Sequence, residues 1–346
     1  FSGSGSISGS ASLTKTNIGV LRLATSNSFT GNTLVLDGVL AVQHNQALGS
    51  TAGVTTVSNR GSVRIEGNGL LIAEPLTCLE PLYTDLTGFP TNSLLDNLAN
   101  TNTWSGAITM GLTGENAPIK SSSGQLVLDS PTPIAGPGTL MLTGDGTTLV
   151  RSSVASSVPF IEAYPGGERY LYGDTYSTAS LLILGSSTVV VTNGQIFNGS
   201  AFGIFCSSGR FETRGSTSLT APLTLRAGSL RANGGTLTYS RTGNPKFSSD
   251  YNCSLETAGP SDQIVFNTAV QDDFGHAFGA TLINGPGTVV LNAGDTGPNR
   301  YLGSWLLLDG TLKLNHPSAL GGNWIRLSAG TVMTGVDGGG AFASSC

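Results

Sequence analysis

Short runs in which hydrophobic and polar residues alternate recur along this chain, and Gly-containing turns separate them. Leu223–Ala232 reads LTLRAGSLRA, and Gly235–Tyr239 reads GTLTY. Alternation with a period of two places Leu and Val on one face of a β-strand and polar residues on the other. The best candidate for helical spacing is Ser93–Asn100, for which we expect one or two helical turns or a loop. The pattern therefore predicts an all-β protein.

The same phrase occurs near both ends of the chain. Leu34–Gly49 reads LVLDGVLAVQHNQALG, and Leu306–Gly321 reads LLLDGTLKLNHPSALG. Each copy has a hydrophobic face too small to bury alone, and stacking successive coils buries it. The turn spacing also fits an antiparallel β-sandwich, but a sandwich has no reason to reuse one phrase. We therefore predict a parallel β-helix (β-solenoid) with loop insertions and keep the antiparallel β-sandwich as the alternative.

We expect residues 1–346 to form a single elongated β-solenoid with two loop insertions. Residues 75–100 contain three prolines, and residues 159–177 are aromatic, charged and rich in turns, as in a protruding loop or hairpin. Residues 1–13 are expected to be an extended N-terminal strand or arm that pairs with the edge of a neighbouring subunit. The apolar residues of this arm, which we take as assembly candidates, are Phe1, Ile7 and Leu13.

The N-terminal phrase resembles the autotransporter-associated β-strand repeat. That family has a Lys-Thr-Gly strand, an x-F/Y-T-G step, a G-x-L strand and an A-L-G close. The matching residues are Thr14–Thr16, Phe29–Gly31, Asp37–Leu40 and Ala47–Gly49. The resemblance covers the two ends well and the middle in fragments. It implies a right-handed parallel β-helix, secretion or surface display, and a passenger or structural role without implying catalysis.

Composition narrows the class of partner. Charged residues make up 11% of the chain, the formal net charge is −5, and only 16 residues are Lys or Arg. A basic stripe for nucleic acid is absent, and no apolar run is long enough to cross a bilayer. The Gly/Ser-rich start resembles a mature chain after signal-peptide removal. We expect a secreted, extracellular or cell-surface protein that binds no nucleic acid and does not insert into membranes.

Four cysteines without metal-ligand spacing suggest disulfides in an oxidising compartment. We favour Cys206 with Cys253, which leaves Cys78 and Cys346 to bridge within one chain or between subunits. The alternative is four buried free thiols.

Ionisable clusters are scarce, and we expect neither a cofactor nor a metal. Asp272 and Asp273 lie close to His276 in the sequence and offer the carboxylates that glycoside hydrolysis requires, but we favour a solvated loop as the explanation. His44 and His316 occupy equivalent positions in the two phrases, which favours a structural task such as a turn hydrogen bond.

Three functions follow in order of preference. The first is an extracellular structural subunit that polymerises into a filament, sheath or surface coat by end-to-end or strand-addition contacts. The second is an adhesin or carbohydrate-binding passenger that binds glycans on an aromatic platform, formed by Tyr164, Tyr170, Tyr172 and Tyr176. The third is a polysaccharide-active β-helix enzyme using Asp272 and Asp273. We expect the chain not to be an enzyme.

Overall fold

The computed structural model describes residues 1–81, 93–111, 113–114, 116–172, 179–192, 203–273, 278–321 and 324–335. Within them every regular element is a β-strand, so the helical turns considered for Ser93–Asn100 are replaced by a short strand. Named strands pair with strands of neighbouring coils in parallel. The β-solenoid prediction is confirmed, and the antiparallel sandwich is wrong.

The chain divides into two compact units, Phe1–Ala179 and Ser180–Cys346. Each unit is a stack of parallel coils, and the expectation of one continuous solenoid over residues 1–346 stays a prediction.

The first unit contains two sheets. Strands β3, β4, β7, β10, β12 and β14 pair in that order, with β1 and β2 on β3 and with β6 between β4 and β9, while β5, β8, β11, β13 and β15 form the second sheet. The strands are β1 (Leu13–Lys15), β2 (Val20–Leu23), β3 (Thr33–Val42), β4 (Thr55–Ile65), β5 (Leu71–Ile72), β6 (Leu76–Pro81), β7 (Leu95–Asn97), β8 (Thr101–Trp104), β9 (Ile108–Met110), β10 (Asn116–Ser121), β11 (Gln125–Leu128), β12 (Thr139–Thr143), β13 (Thr147–Val150), β14 (Phe160–Ala163) and β15 (Glu168–Leu171).

The second unit contains three sheets. Their orders are β16-β18-β21-β24-β27, β17-β19-β22-β25-β28-β30-β32 and β20-β23-β26-β29-β31-β33. The strands are β16 (Ser180–Leu184), β17 (Thr188–Thr192), β18 (Ile204–Ser207), β19 (Arg210–Arg214), β20 (Thr217–Leu219), β21 (Leu223–Arg226), β22 (Ser229–Asn233), β23 (Thr236–Tyr239), β24 (Lys246–Phe247), β25 (Cys253–Thr257), β26 (Gln263–Phe266), β27 (Gln271–Asp272), β28 (Ala280–Asn284), β29 (Thr288–Leu291), β30 (Ser304–Leu307), β31 (Thr311–Leu314), β32 (Ile325–Leu327) and β33 (Thr331–Thr334).

The two expected loop insertions contain strands of the regular coils. Within residues 159–177, β14 pairs with β12 and β15 pairs with β13, so these strands do not form a hairpin with each other. Within residues 75–100, β6 and β7 both pair with β4. Pro75 precedes β6 and Pro81 is its last residue, and proline is tolerated at such positions. Residues 82–92 and 173–178 lie outside the described residues.

Inward side chains stack in rows that form the core of each unit. Trp104, Leu128 and Val150 are register partners on β8, β11 and β13, and all three are fully buried. Full burial of such a side chain contributes about 2 kcal/mol. In the second unit Tyr301 packs edge to face against Trp305 and Phe247, at ring-centroid distances of 5.3 Å and 6.3 Å. The alternation of hydrophobic and polar residues therefore predicts correctly which side chains point into the core.

Both copies of the repeated phrase make the same hydrogen bond at their Asp-Gly pair. The carboxylate Oδ1 of Asp37 accepts the N–H of Gly38 at 2.9 Å, and Asp309 does the same for Gly310 at 2.7 Å. The two glycines have φ angles of 69° and 76°, a region that glycine enters without steric cost. The Asp-Gly pair therefore has the same structural role in both copies.

Candidate functional site

The two repeated histidines hold turns together. Nδ1 of His44 accepts the backbone N–H of Gln46 at 3.1 Å, and Nδ1 of His316 accepts that of Ser318 at 3.1 Å. The carbonyl oxygens of both histidines accept a further N–H, three residues on. The prediction of a shared turn hydrogen bond is confirmed.

The acidic pair Asp272 and Asp273, at the end of β27, is committed to structural contacts. Oδ2 of Asp273 lies 2.7 Å from Nε of Arg226, and Oδ2 of Asp272 accepts the N–H of Leu302 at 3.1 Å. Both carboxylates are half-buried, so a solvated loop does not describe them. His276 lies outside the described residues. The geometry gives no support for an acid–base pair here.

The three described cysteines are buried free thiols, and the Cys206–Cys253 disulfide is therefore wrong. Sγ of Cys206 donates to the carbonyl of Gly209 at 3.0 Å, and Sγ of Cys253 donates to that of Leu225 at 3.2 Å. Burial raises the pKa of Cys78 and Cys206 to about 12 and that of Cys253 to about 11. Such thiols behave as small core side chains. Cys346 lies outside the described residues.

The N-terminal segment pairs with its own chain. The carbonyl of Phe1 accepts the N–H of Ala24, and that of Ile7 accepts the N–H of Ser28. Leu13 of β1 is the register partner of Thr33 in β3. The backbone groups of this segment already bond to the same chain. Phe1, Ile7 and Leu13 therefore lie on the first coil and not on a free arm.

An apolar strip runs along the outer face of the second sheet in the first unit. Its members on β5, β8, β11, β13 and β15 are register partners, and its last member directly follows β15. All of them point away from the core row, because their sequence neighbours point inward, although Val127 and Leu149 are buried. We define the outer strip as Leu71, Thr103, Val127, Leu149, Tyr170 and Tyr172.

Tyr170 and Tyr172 form a stacked pair on the outer strip. Their ring centroids are 6.0 Å apart with planes 8° from parallel, and Tyr172 is 38% exposed. The hydroxyl of Tyr170 donates to Oε2 of Glu168 at 2.6 Å, which fixes the ring. Arg151 forms a 3.5 Å ion pair with Asp129 on the same face. A flat aromatic surface next to charged groups suits the apolar face and hydroxyls of a sugar.

One described member of the predicted aromatic platform does not share this surface. Tyr164 follows β14, which belongs to the other sheet, and it bonds to Glu162. Burial, together with the Glu162 carboxylate, raises the pKa of Tyr164 to about 12. Tyr176 lies outside the described residues.

Sequence reasoning missed two buried ionisable residues. Glu74 is 3% exposed, and burial raises its pKa to about 7 against the opposing effect of a hydrogen bond from Thr55. Register places Glu74 where other coils have Gly31, Gly53 and Gly106. A Glu at a position where other coils carry Gly was the sequence signal that could have identified this residue. Arg169 is fully buried on the inner row of β15, two residues before the inward Leu171, and strand alternation was the signal that could have identified its position.

The described residues contain no helix long and apolar enough to cross a membrane. In the same part of the chain no cluster of three metal-ligating His, Cys, Asp or Glu side chains occurs.

Comparison of the chain with family models, with curated proteins and with solved structures finds no match.

Proposed function

We propose that this protein is an extracellular structural β-solenoid that associates with further copies of itself through coil edges. Stacked parallel coils supply a scaffold within each unit, and the described groups that the sequence suggested for chemistry hold turns or make structural contacts. The hydroxyl-rich, charge-poor composition and the family resemblance support secretion. The cysteines no longer support it, because the described ones are free.

The observation that carries the proposal is a difference between register partners. Leu307 and Leu327 stack in the same inner row, yet Leu307 is fully buried while Leu327 is 52% exposed. Among the described strands, β32 pairs only with β30, and β33 pairs only with β31. An additional parallel coil on this edge would bury Leu327 as Leu307 is buried.

A second copy offers a suitable partner for this edge. Its first coil leaves Leu21 only half-buried, although Leu21 lies in the same inner row as the fully buried Leu40 and Val63. The contact would then continue the parallel stacking and the apolar rows that each unit already uses.

Sedimentation velocity over a range of protein concentrations, with electron microscopy of the same samples, tests this proposal. We expect larger species to grow with concentration and Leu327→Lys to suppress them. Phe278→Lys is the matched control, because Phe278 is 91% exposed and precedes β28, a strand that already pairs on both sides, with β25 and β30. A wild-type chain that stays monomeric at high concentration contradicts the proposal, as does a Leu327→Lys chain that assembles normally.

Glycan binding is the second candidate function, and the stacked Tyr170–Tyr172 pair favours it. Sugars bind to such rings through their C–H faces, at about 1 kcal/mol per good aromatic contact. A glycan array probed with the wild type and with Tyr170→Ala/Tyr172→Ala tests this candidate. Tyr251→Ala serves as the control for an exposed tyrosine elsewhere (56% exposed). Equal glycan binding by the wild type and the double variant would contradict a role of this tyrosine pair in glycan binding.

A further inference from the structure

A polar groove crosses four successive coils of the second unit. It lies at the bend between β16, β18 and β21 on one side and β17, β19, β22 and β25 on the other, and its volume is about 370 Å³. We define the bend groove by the residues that line it at each coil: Ser186–Thr188, Ser208–Arg210, Ala227–Ser229, and Asn252, Ser254 and Glu256.

The backbone of the bend groove repeats from coil to coil. The bend residues Gly185, Ser208 and Ala227 all have positive φ angles, of 58°, 63° and 53°. Backbone hydrogen bonds tie them to the next coil: Gly185 donates to the carbonyl of Ser207, and Ser208 donates to that of Arg226. A groove held by interlocked backbone loses little conformational entropy when a ligand binds.

The lining of the bend groove is almost entirely polar and carries no net charge. The hydroxyls come from Ser and Thr at each coil, and the two charged groups, Arg210 and Glu256, form an ion pair at 3.1 Å. Arg210 also donates from Nε to the hydroxyl of Ser229 at 3.4 Å. The side chains of Arg210 and Glu256 are 37% and 18% exposed. Donors and acceptors are therefore both available to a ligand rich in hydroxyl groups.

The spacing of the coils matches a repeating ligand. Parallel strands lie about 4.8 Å apart, so four coils span about 14 Å. One pyranose ring in an extended, equatorially linked glycan advances by a distance similar to one coil step. Each successive sugar would therefore meet a coil that offers the same kind of hydroxyl and backbone groups. Arg210 and Glu256, two coils apart, would donate to and accept from the sugar hydroxyls.

We propose that the bend groove binds a neutral, extended polysaccharide that lies along the coil stack. A neutral chain is favoured because the guanidinium of Arg210 is already neutralised by Glu256. This site is separate from the outer strip and does not depend on self-association of the protein.

The test is calorimetric titration of the full chain with cellohexaose, xylohexaose and hexa-N-acetylchitohexaose, with hexagalacturonate as the acidic comparison. The protein should come from a host without N-glycosylation, because Asn252 begins an Asn-Cys-Ser acceptor sequence. We expect binding of at least one neutral hexasaccharide. Arg210→Ala and the conservative Glu256→Gln should each weaken that binding by about tenfold or more.

Two control variants leave the bend groove intact. Arg151→Ala removes an exposed ion pair elsewhere and should leave the affinity unchanged. Tyr170→Ala/Tyr172→Ala should also leave it unchanged, which distinguishes the bend groove from the outer strip. Circular dichroism establishes that each variant is folded. The proposal is overturned if no neutral hexasaccharide binds at millimolar concentration, if only hexagalacturonate binds, or if folded Arg210→Ala and Glu256→Gln bind as well as wild type.

Discussion

Arg169 donates a hydrogen bond from Nη2 to the carbonyl oxygen of Gly144 at 2.6 Å, from inside the core of the first unit. Nη1 reaches the carbonyl of Gly146 at 2.8 Å. Burial lowers the pKa of Arg169 to about 10, and the Asp145 carboxylate opposes that shift. The guanidinium therefore holds a turn from its inner side.

Replacing this buried cation is expected to destabilise the first unit strongly. Arg169→Met keeps much of the side-chain volume but leaves the Gly144 and Gly146 carbonyls without their donor, so we expect a loss of about 3 kcal/mol in unfolding free energy. Urea denaturation measures it. Arg151→Met, at an exposed ion pair, should cost less than about 1 kcal/mol. Equal losses of unfolding free energy in the two variants would show that the hydrogen bonds of Arg169 do not stabilise the protein.

The turn hydrogen bonds of His44 and His316 are expected to contribute similar amounts to the unfolding free energy. His44→Ala and His316→Ala should each lower the unfolding free energy by about 1 kcal/mol, because each removes the acceptor of a backbone N–H. Ser318→Ala is the control, since it keeps the backbone donor. The two histidine variants should behave alike in thermal denaturation, and a large effect at only one site would argue against a shared role.

Ala227 offers a stabilising substitution. Its φ of 53° lies in the left-handed region, which disfavours side chains with a Cβ. We expect Ala227→Gly to raise the unfolding free energy by about 0.5 kcal/mol, after the greater freedom of glycine in the unfolded chain is included. Ala232→Gly, in the middle of buried β22, should lower it. A destabilised Ala227→Gly protein would contradict the strain inferred at this bend.

Glu74 should make stability depend on pH. Its pKa is about 7 in the folded protein and about 4.5 without burial. Below pH 4.5 both states hold the proton and stability is complete. As pH rises from 4.5 to 7, the unfolded state ionises while the folded state keeps the proton, so stability falls by about 1–3 kcal/mol and levels off above pH 7.

Glu74→Gln tests this assignment because it stays neutral throughout. Urea denaturation at pH 4.5, 6 and 8 should show a smaller decline in the variant than in the wild type. The exposed Glu168→Gln should leave the wild-type decline intact. Parallel pH profiles for wild type and Glu74→Gln would exclude Glu74 as the cause.

The described thiols should be inert in the folded protein. Burial and raised pKa values keep Cys78, Cys206 and Cys253 protonated and inaccessible at pH 8. In a Cys346→Ser background, a chromogenic disulfide reagent should label none of them natively and all three in guanidinium chloride. Fast native labelling, or a missing thiol after denaturation, would contradict free buried cysteines.

The sequence by itself determined the strand faces, the coil repeat and the turn chemistry. Alternation identifies rows such as Leu128 and Val150, and the shared phrase predicts one task for His44 and His316, because these features depend on residues close together in the chain. Tertiary structure alone decided which coils are neighbours. The stacking of coils kept Cys206 and Cys253 unbonded and buried the carboxyl group of Glu74. Those outcomes depend on register between residues far apart in sequence, which no local pattern encodes.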